Sequence, residues 1–464
     1  MNDLDLCYMT LSRAAGLIKA RKLSPVELTD AVLRRVNETQ SKTNAFIIVT
    51  EEEAREQARQ AEQEIARGSY RGPLHGVPVS VKDIYDLSGH LTTCGSKVLH
   101  DNRVHRDATA VARLKAAGAV VLGKNNMTEF AVELPSPVYG PAHNPWDLER
   151  SAGLSSSGSA AALLAGASFA SLGTDTGGSI RLPAAFCGCV GIKATYGRVS
   201  RFGVYPLSWS MDHAGPLART VRDAAITLQA IAGYDPNDAT TGRGRVPAYQ
   251  RALRRRLDGL RIGVPKEHFF DLVDEEIGPV VHAAIDRLRE LGAEVREVSI
   301  PAVTESGLAL GSIIRTEQAA AHEKLLETRG HLYGGTLADR LRGAMLRPAV
   351  VYIQAMRLRA VIMEDFRRAM EQVDLLVTPS TPILPYKLAE QPSGGAGQGA
   401  AIAKFTGPFN LTGLPAISVP CGFSSQGLPV GLQLVGRPWE ESTVFRAAHA
   451  YEQSTEWHKR RPPL

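Results

Sequence analysis

The stretch Ser151-Ala152-Gly153-Leu154-Ser155-Ser156-Ser157-Gly158-Ser159 leads, through an alanine-rich segment, to Gly173-Thr174-Asp175-Thr176-Gly177-Gly178-Ser179-Ile180-Arg181. Residues 159–170 read as a buried helix, and the segments flanking it are small, polar and flexible. Short side chains let backbone N–H groups approach a ligand closely, and consecutive amides pointing one way form a pocket for negative charge. An oxyanion hole requires that arrangement. A pair of Gly/Ser turns around a packed helix accounts for the same composition, so these residues alone leave both readings open.

Working outward, Val77-Pro78-Val79-Ser80-Val81 reads as a strand with Lys82 at its end, and Ala119-Val120-Val121-Leu122 as another. Residues 51–67 carry Ala54, Ala58, Ala61 and Ala66 among charges in a helical pattern that Gly72-Pro73-Leu74 breaks. Ser24-Pro25-Val26-Glu27 is a helix start in which Ser24 caps, Pro25 takes the first turn and Glu27 reaches back. On the other side, 221–231 is a helix ending at Gly233, 260–264 a strand, 277–291 an amphipathic helix and 295–300 a strand. Residues 375–378, 416–419 and 431–435 read as strands. This alternation means a layered α/β protein. The low-complexity stretch 391–399 (QPSGGAGQG) reads as a mobile surface loop, either an active-site lid or slack. Met356, Met363 and Met370 fall seven apart on a helix, a spacing that reads as core packing.

At 464 residues and 44% hydrophobic, the chain has material for one large domain or two ordinary ones. Its 53 Lys and Arg against 48 Asp and Glu leave +5, spread without a dense basic run, so composition does not demand nucleic acid, and a small molecule is the better default partner. The five cysteines, Cys7, Cys94, Cys187, Cys189 and Cys421, are an odd and sparse set that points to a reducing compartment. The start, Met1-Asn2-Asp3-Leu4-Asp5, is acidic where a secretory signal is basic. The most apolar stretch, 160–170, falls far short of the roughly 18 residues that a membrane span needs. The expected location is the cytoplasm.

Lys82 closes an apolar strand and is followed by Asp83, a position where burial disfavours the charged form and leaves the amine able to act as a base. The alternative is a strand-end lysine reaching to solvent. Taken together, Gly76-Val77-Pro78-Val79-Ser80-Val81-Lys82-Asp83, the serine-rich turn and residues 173–181 resemble the amidase signature family. Further matches run along most of the chain, among them Gly123-Lys124-Asn125-Asn126-Met127-Thr128-Glu129-Phe130, Asn144-Pro145-Trp146, Gly191-Ile192-Lys193-Ala194-Thr195-Tyr196-Gly197, Gly215-Pro216-Leu217-Ala218-Arg219-Thr220 and Gly413-Leu414-Pro415-Ala416.

The resemblance implies Ser179 as nucleophile, Ser155 as bridging serine and Lys82 as general base, with the serines 24 positions apart as the family pattern expects. It implies an oxyanion hole from the backbone of Thr176, Gly177, Gly178 and Ser179, a cleft contact at Ala131, a loop hydrogen bond from Ser156, and a supporting ion pair between Asp175 and Arg181. It also implies a cis peptide at Leu154-Ser155, although Leu154 and Ser157 stand where the family has glycine. The fold implied is α/β, a mixed, twisted central sheet with helices on both faces. It forms a single domain over 1–464, with an N-terminal helical layer to 70, a signature core over 71–230 and a remaining α/β portion over 231–464. The function implied is a free-standing amidohydrolase of small amides, either aryl amides or carbamates (urethanes). It needs no metal or organic cofactor and meets no membrane, and a homodimer is compatible with it. The alternative is the amidase component of a tRNA-dependent glutamyl or aspartyl amidotransferase, which supplies ammonia to partner subunits.

Other motifs fail on their own terms. Residues 173–178 have P-loop glycine spacing, but Ser179 stands where the lysine is required. Gly153-Leu154-Ser155-Ser156-Ser157 lacks the last glycine of a nucleophile elbow. His322-Glu323 begins like a metalloprotease helix, yet Leu326 replaces the second histidine. Cys187 and Cys189, between Phe186 and Val190, read as buried structural thiols, and His213 as a packing residue.

Overall fold

The computed structural model describes residues 2–132, 135–271, 273–390 and 401–464; the stretch read as a lid or slack, 391–399, lies outside them. Thirteen strands are present among the described residues: β1 (Phe46–Val49), β2 (Pro78–Lys82), β3 (Val120–Asn125), β4 (His143–Asn144), β5 (Asp147–Ser151), β6 (Ala170–Asp175), β7 (Val190–Lys193), β8 (His213–Ala218), β9 (Arg261–Pro265), β10 (Glu294–Val298), β11 (Leu375–Pro379), β12 (Ala416–Phe423) and β13 (Pro429–Gly436). Eleven make one sheet in the order β1-β3-β2-β6-β8-β7-β12-β13-β11-β9-β10, and β4 pairs with β5 apart from it.

The sheet is mixed, as expected. β3, β2 and β6 run parallel, β6 through β11 alternate, and β11, β9 and β10 are parallel again. Strands β2, β3, β6, β7 and β8 are buried along their whole length, which requires packing on both faces and explains why they read as apolar or small-residue runs rather than as alternating patterns. Sequence reading had no strand for β1, β6, β7 or β8. In β6 (Ala-Ser-Leu-Gly-Thr-Asp) small residues hide the pattern, because the helix Ser157–Leu164 packs close over them. That helix is shorter than the 159–170 expected; the chain turns at Gly166, with φ +75°, and enters β6.

Helix bounds elsewhere hold to within a residue or two, whereas β3 and β12 run three and four residues past the expected ends. The helix Pro25–Thr43 starts with Ser24 accepting from the N–H groups of Val26 and Glu27. Glu27 does not reach back; the Ser24 hydroxyl instead donates to Glu62 at 2.5 Å, tying this helix to the helix Glu51–Ala66. On the helix Ala349–Gln372, Met370 is in the core, but Met363 is 43% exposed, so the heptad spacing did not mark a buried stripe there.

The topology positions the chemistry. Parallel β2 and β6 pair with Ser80 opposite Ser171, so their C-terminal ends, Lys82 and Asp175, leave the sheet on the same side. Open α/β sheets place ligands outside the carboxyl ends of parallel strands.

Candidate active site

Lys82 is the last residue of β2 and is fully buried. Its Nζ donates to Ser155 Oγ at 2.7 Å and to Thr174 Oγ1 at 2.8 Å. Burial pulls the ammonium down to about 7, opposed in part by the negative charges of Asp212 and Asp175. A neutral amine has two N–H donors and one lone pair. With Thr174 taking one N–H, the lone pair is available to a proton on Ser155. Thr174 sits inside the quoted motif but was not read as a site residue.

Ser155 lies in the turn before the helix Ser157–Leu164 and is buried. The cis peptide expected at Leu154-Ser155 is not found: peptide bonds among the described residues are trans. The unusual backbone falls one residue earlier, on Gly153, whose φ is +111° and whose missing Cβ would lie 2.5 Å from Pro183 Cα. Glycine supplies that conformation where the backbone approaches closely.

The turn after β6 is held from several directions. Asp175 and Arg181, both inaccessible to solvent, form a bidentate ion pair, Nε to Oδ2 at 3.0 Å and Nη2 to Oδ1 at 2.8 Å. Burial raises the Asp175 carboxyl, but the Arg181 guanidinium outweighs it and holds the group well below the usual carboxylate range. Asp175 also accepts from the N–H groups of Ile180 and Arg181 at 3.1 and 3.3 Å. The preceding N–H groups of Gly177, Gly178 and Ser179 donate to no protein acceptor among the described residues. Thr176 Oγ1 donates to Asp212 Oδ1 at 2.5 Å, and Asp212 Oδ2 is fixed by the N–H groups of Leu207 and Ser208.

Three distant residues complete the support. Arg181 donates to the Thr406 carbonyl, to Gln433 Oε1 and to Asn410 Oδ1 at 2.7 to 2.9 Å. Asn410 Nδ2 donates to the Asp175 carbonyl and to its carboxylate, both at 2.9 Å. Sequence reading missed Thr406, Asn410 and Gln433, and no local signal marks them: they stand in ordinary C-terminal segments and acquire a role only when the sheet closes.

Ser179 opens onto a cleft lined also by Ala131, Leu154, Thr176 and Gly177. Ala131 holds φ +62°, next to Phe130 at +47°, an uncommon conformation for residues with a side chain. Among the described residues no hydrogen bond joins Ser155 to Ser179. Ser156 does not line the cleft: its hydroxyl donates to the Thr174 carbonyl at 3.2 Å and accepts from the Thr174 N–H at 3.3 Å, which pins the serine turn to β6. His213 is a packing residue: Nδ1–H donates to the Met211 carbonyl at 2.6 Å, Nε2 accepts from Lys193 at 3.2 Å, and burial drives the ring's basicity far down. Cys187 and Cys189 are buried and their thiols are pushed up by desolvation, Cys189 to about 12. No described helix is long and apolar enough to cross a membrane.

Comparison with known proteins agrees with this geometry. The Amidase family model matches residues 27–445. The A subunit of the glutamyl-tRNA(Gln) amidotransferase of Moorella thermoacetica is 42% identical, over 99% of this chain and 99% of its own length. The solved structure of the corresponding protein from Thermotoga maritima superposes with a TM-score of 0.83 at 34% identity, covering 98% of this chain and 96% of that one. The 6-aminohexanoate cyclic dimer hydrolase superposes with a TM-score of 0.89 at 29% identity, covering 98% of this chain and 99% of that one. Matched over nearly its full length, the chain belongs to the amidase signature family, whose members act on carbon–nitrogen bonds.

Proposed function

We propose that this chain hydrolyses a carboxamide through an acyl-enzyme on Ser179 and that it serves as the amidase component of a tRNA-dependent amidotransferase, releasing ammonia for partner subunits. The observation that carries the chemistry is the buried Lys82–Ser155 contact of 2.7 Å beside a turn of unengaged backbone amides. Whole-length similarity to the amidase components of such amidotransferases favours that role over the free-standing reading.

In the proposed reaction neutral Lys82 accepts a proton from Ser155, and Ser155 accepts one from Ser179 as its oxygen attacks the amide carbon. The Ser155-to-Ser179 link closes as substrate seats, since catalytic hydrogen bonds often tighten only in the complex. The N–H groups of Gly177, Gly178 and Ser179 receive the developing oxyanion, where each donor lowers the barrier by about 3 kcal/mol. The proton held on Lys82 returns through Ser155 to the leaving nitrogen, ammonia departs, and water releases the acyl group by the same relay in reverse.

The cleft favours a second reading, a free-standing hydrolase of small amides. Leu154, Leu207, Leu310, Ile314 and Pro408 form largely apolar walls, and among the described residues no Asp or Glu lines it to receive the ammonium of a free amino acid. The likeness to 6-aminohexanoate cyclic dimer hydrolase points the same way. The relatives named above, amidotransferase A subunits and a cyclic dimer hydrolase, do not favour carbamates. A cytoplasmic location fits both readings.

Release of ammonia from glutamine and pentanamide, and of aniline from an anilide, measured on the chain alone and with amidotransferase partner subunits and tRNA, separates the two. Glutaminase activity that rises at least tenfold with the partners supports the first reading. Rapid pentanamide turnover indifferent to them supports the second, and failure on all three amides in either setting sinks the proposed chemistry.

A further inference from the structure

One face of the helix Ser306–Arg329 forms a wall of the cleft. Gly307, Gly311, Ile314 and Gln318 all line it, at intervals of four, three and four residues, which places them on a single helical stripe. The stripe is open at its glycines, where an added Cβ would meet nothing within 4 Å, and apolar at Ile314. It ends on one amide. Gln318 is only 7% exposed, its Nε2 is sealed from solvent, and that nitrogen has no hydrogen-bond partner.

Several of the other polar side chains of the cleft are occupied. Thr176 donates to Asp212, His268 Nε2 donates to the Lys404 carbonyl, and Arg315 and Arg340 are engaged within the protein. Gln318 differs, since no protein hydrogen bond is formed by either end of its carboxamide among the described residues. A half turn about its last bond therefore presents N–H or C=O to the cleft without breaking any contact. Buried polar groups in native proteins are almost always paired, so an unpaired one that borders a cleft calls for a cause, and a ligand is one.

We infer that Gln318 is a specificity-determining residue whose carboxamide hydrogen-bonds a second polar carbonyl group on the substrate, a carboxylate or carboxamide separated from the scissile amide by a short apolar chain. The apolar linker lies against Ile314, Leu310 and Leu154, and the remote carbonyl reaches Gln318. This inference deepens the proposed function and holds under either reading of it, because it describes what the cleft binds rather than what the ammonia serves.

The test uses two amides of equal chain length, glutaramate and pentanamide, which differ in the remote carboxylate. Binding is measured by calorimetry on the full-length Ser179→Ala protein with and without Gln318→Met, a change that keeps side-chain volume and removes both polar ends. We expect glutaramate to bind about ten- to a hundredfold more weakly without the amide, the range for losing one buried hydrogen bond, while pentanamide shifts less than twofold. In the active enzyme the same loss appears in KM for glutaramate, with kcat for pentanamide unchanged. Thermal stability of Gln318→Met equals or exceeds that of the parent, because an unpaired buried donor has been removed. Equal effects on the two amides, no binding of glutaramate at millimolar concentration, or a clear fall in melting temperature would each overturn the inference. A chain that binds glutaramate through Gln318 yet hydrolyses no amide leaves it standing and removes the proposed reaction instead.

Discussion

Thr406 donates its hydroxyl to the Gly177 carbonyl at 2.6 Å, across 229 residues of chain, and so ties the turn that carries Ser179 to a segment far from it in sequence. The contact aims the turn. With the Gly177 carbonyl turned toward Thr406 and the N–H groups of Ile180 and Arg181 held by Asp175, the amides of Gly177, Gly178 and Ser179 between them are left without a protein acceptor among the described residues, and Gly177 and Ser179 line the cleft.

Gly178 is the residue that this arrangement tolerates least changing. Its φ is +138°, and an added Cβ would lie 2.2 Å from Thr406 Oγ1. Gly178→Ala is expected to lower kcat by about a hundredfold or more, the loss typical of one misplaced oxyanion donor. Adding Thr406→Ala removes the nearest contact but leaves Leu182 Cδ1 at 2.7 Å, the Cβ of residue 406 at 2.9 Å and the backbone strain, so the double variant recovers only part of the rate; wild-type rates in Gly178→Ala alone would show that the turn is not the oxyanion site.

Lys82 makes the reaction pH-dependent in a definite direction. In the proposed relay the neutral amine is the active form, and burial brings its pKa down to about 7. Below that value kcat/KM falls about tenfold per pH unit, and above it the rate is level, the behaviour of a base that must be deprotonated. Lys82→Arg keeps the charge but cannot give up its proton, so it is expected to lose about 10²- to 10⁴-fold at every pH. A pH–rate profile unchanged in Lys82→Arg would assign the base elsewhere.

Ser179→Ala is expected to abolish turnover, by on the order of 10⁴-fold or more, while circular dichroism and melting temperature stay close to the parent. Mass spectrometry of the parent, quenched during turnover of a slow anilide, should show the acyl adduct on the peptide that contains Ser179. An adduct on Ser155 instead would exchange the roles of the two serines.

The Asp175–Arg181 pair gives a stability prediction. Arg181→Met strands a fully buried carboxylate, and breaking a buried pair in this way costs about 3–5 kcal/mol. Adding Asp175→Asn removes the stranded charge, so the double variant should recover a substantial part of that loss in urea denaturation. A double variant no more stable than Arg181→Met would mean that the guanidinium's other bonds, to Thr406, Asn410 and Gln433, carry the effect.

Much of the site was legible in one dimension because its chemistry sits in local motifs. Lys82 follows an apolar run, and the two serine-bearing turns are marked by Gly and Ser, a composition that plain turns also fit until the family resemblance is added. Strand β2 and the C-terminal strands could be read from their apolar residues, and the helix Pro25–Thr43 from its Ser-Pro start. β6 and β8 could not, because small residues under closely packed helices carry no periodic pattern.

By itself, then, the sequence determined the family and the layered α/β class, and it singled out Lys82, Ser155 and Ser179 as the groups of the proposed relay. The tertiary structure alone decided that the Lys82 ammonium is buried against Ser155 and Thr174, that Thr406, Asn410 and Gln433 hold the nucleophile turn, and that Gln318 faces the cleft unpaired. The physical reason is range. Residue type and spacing record chemistry that lies within a turn or a strand, whereas desolvation and hydrogen-bond partners more than two hundred residues apart exist only once the sheet has brought its strands together.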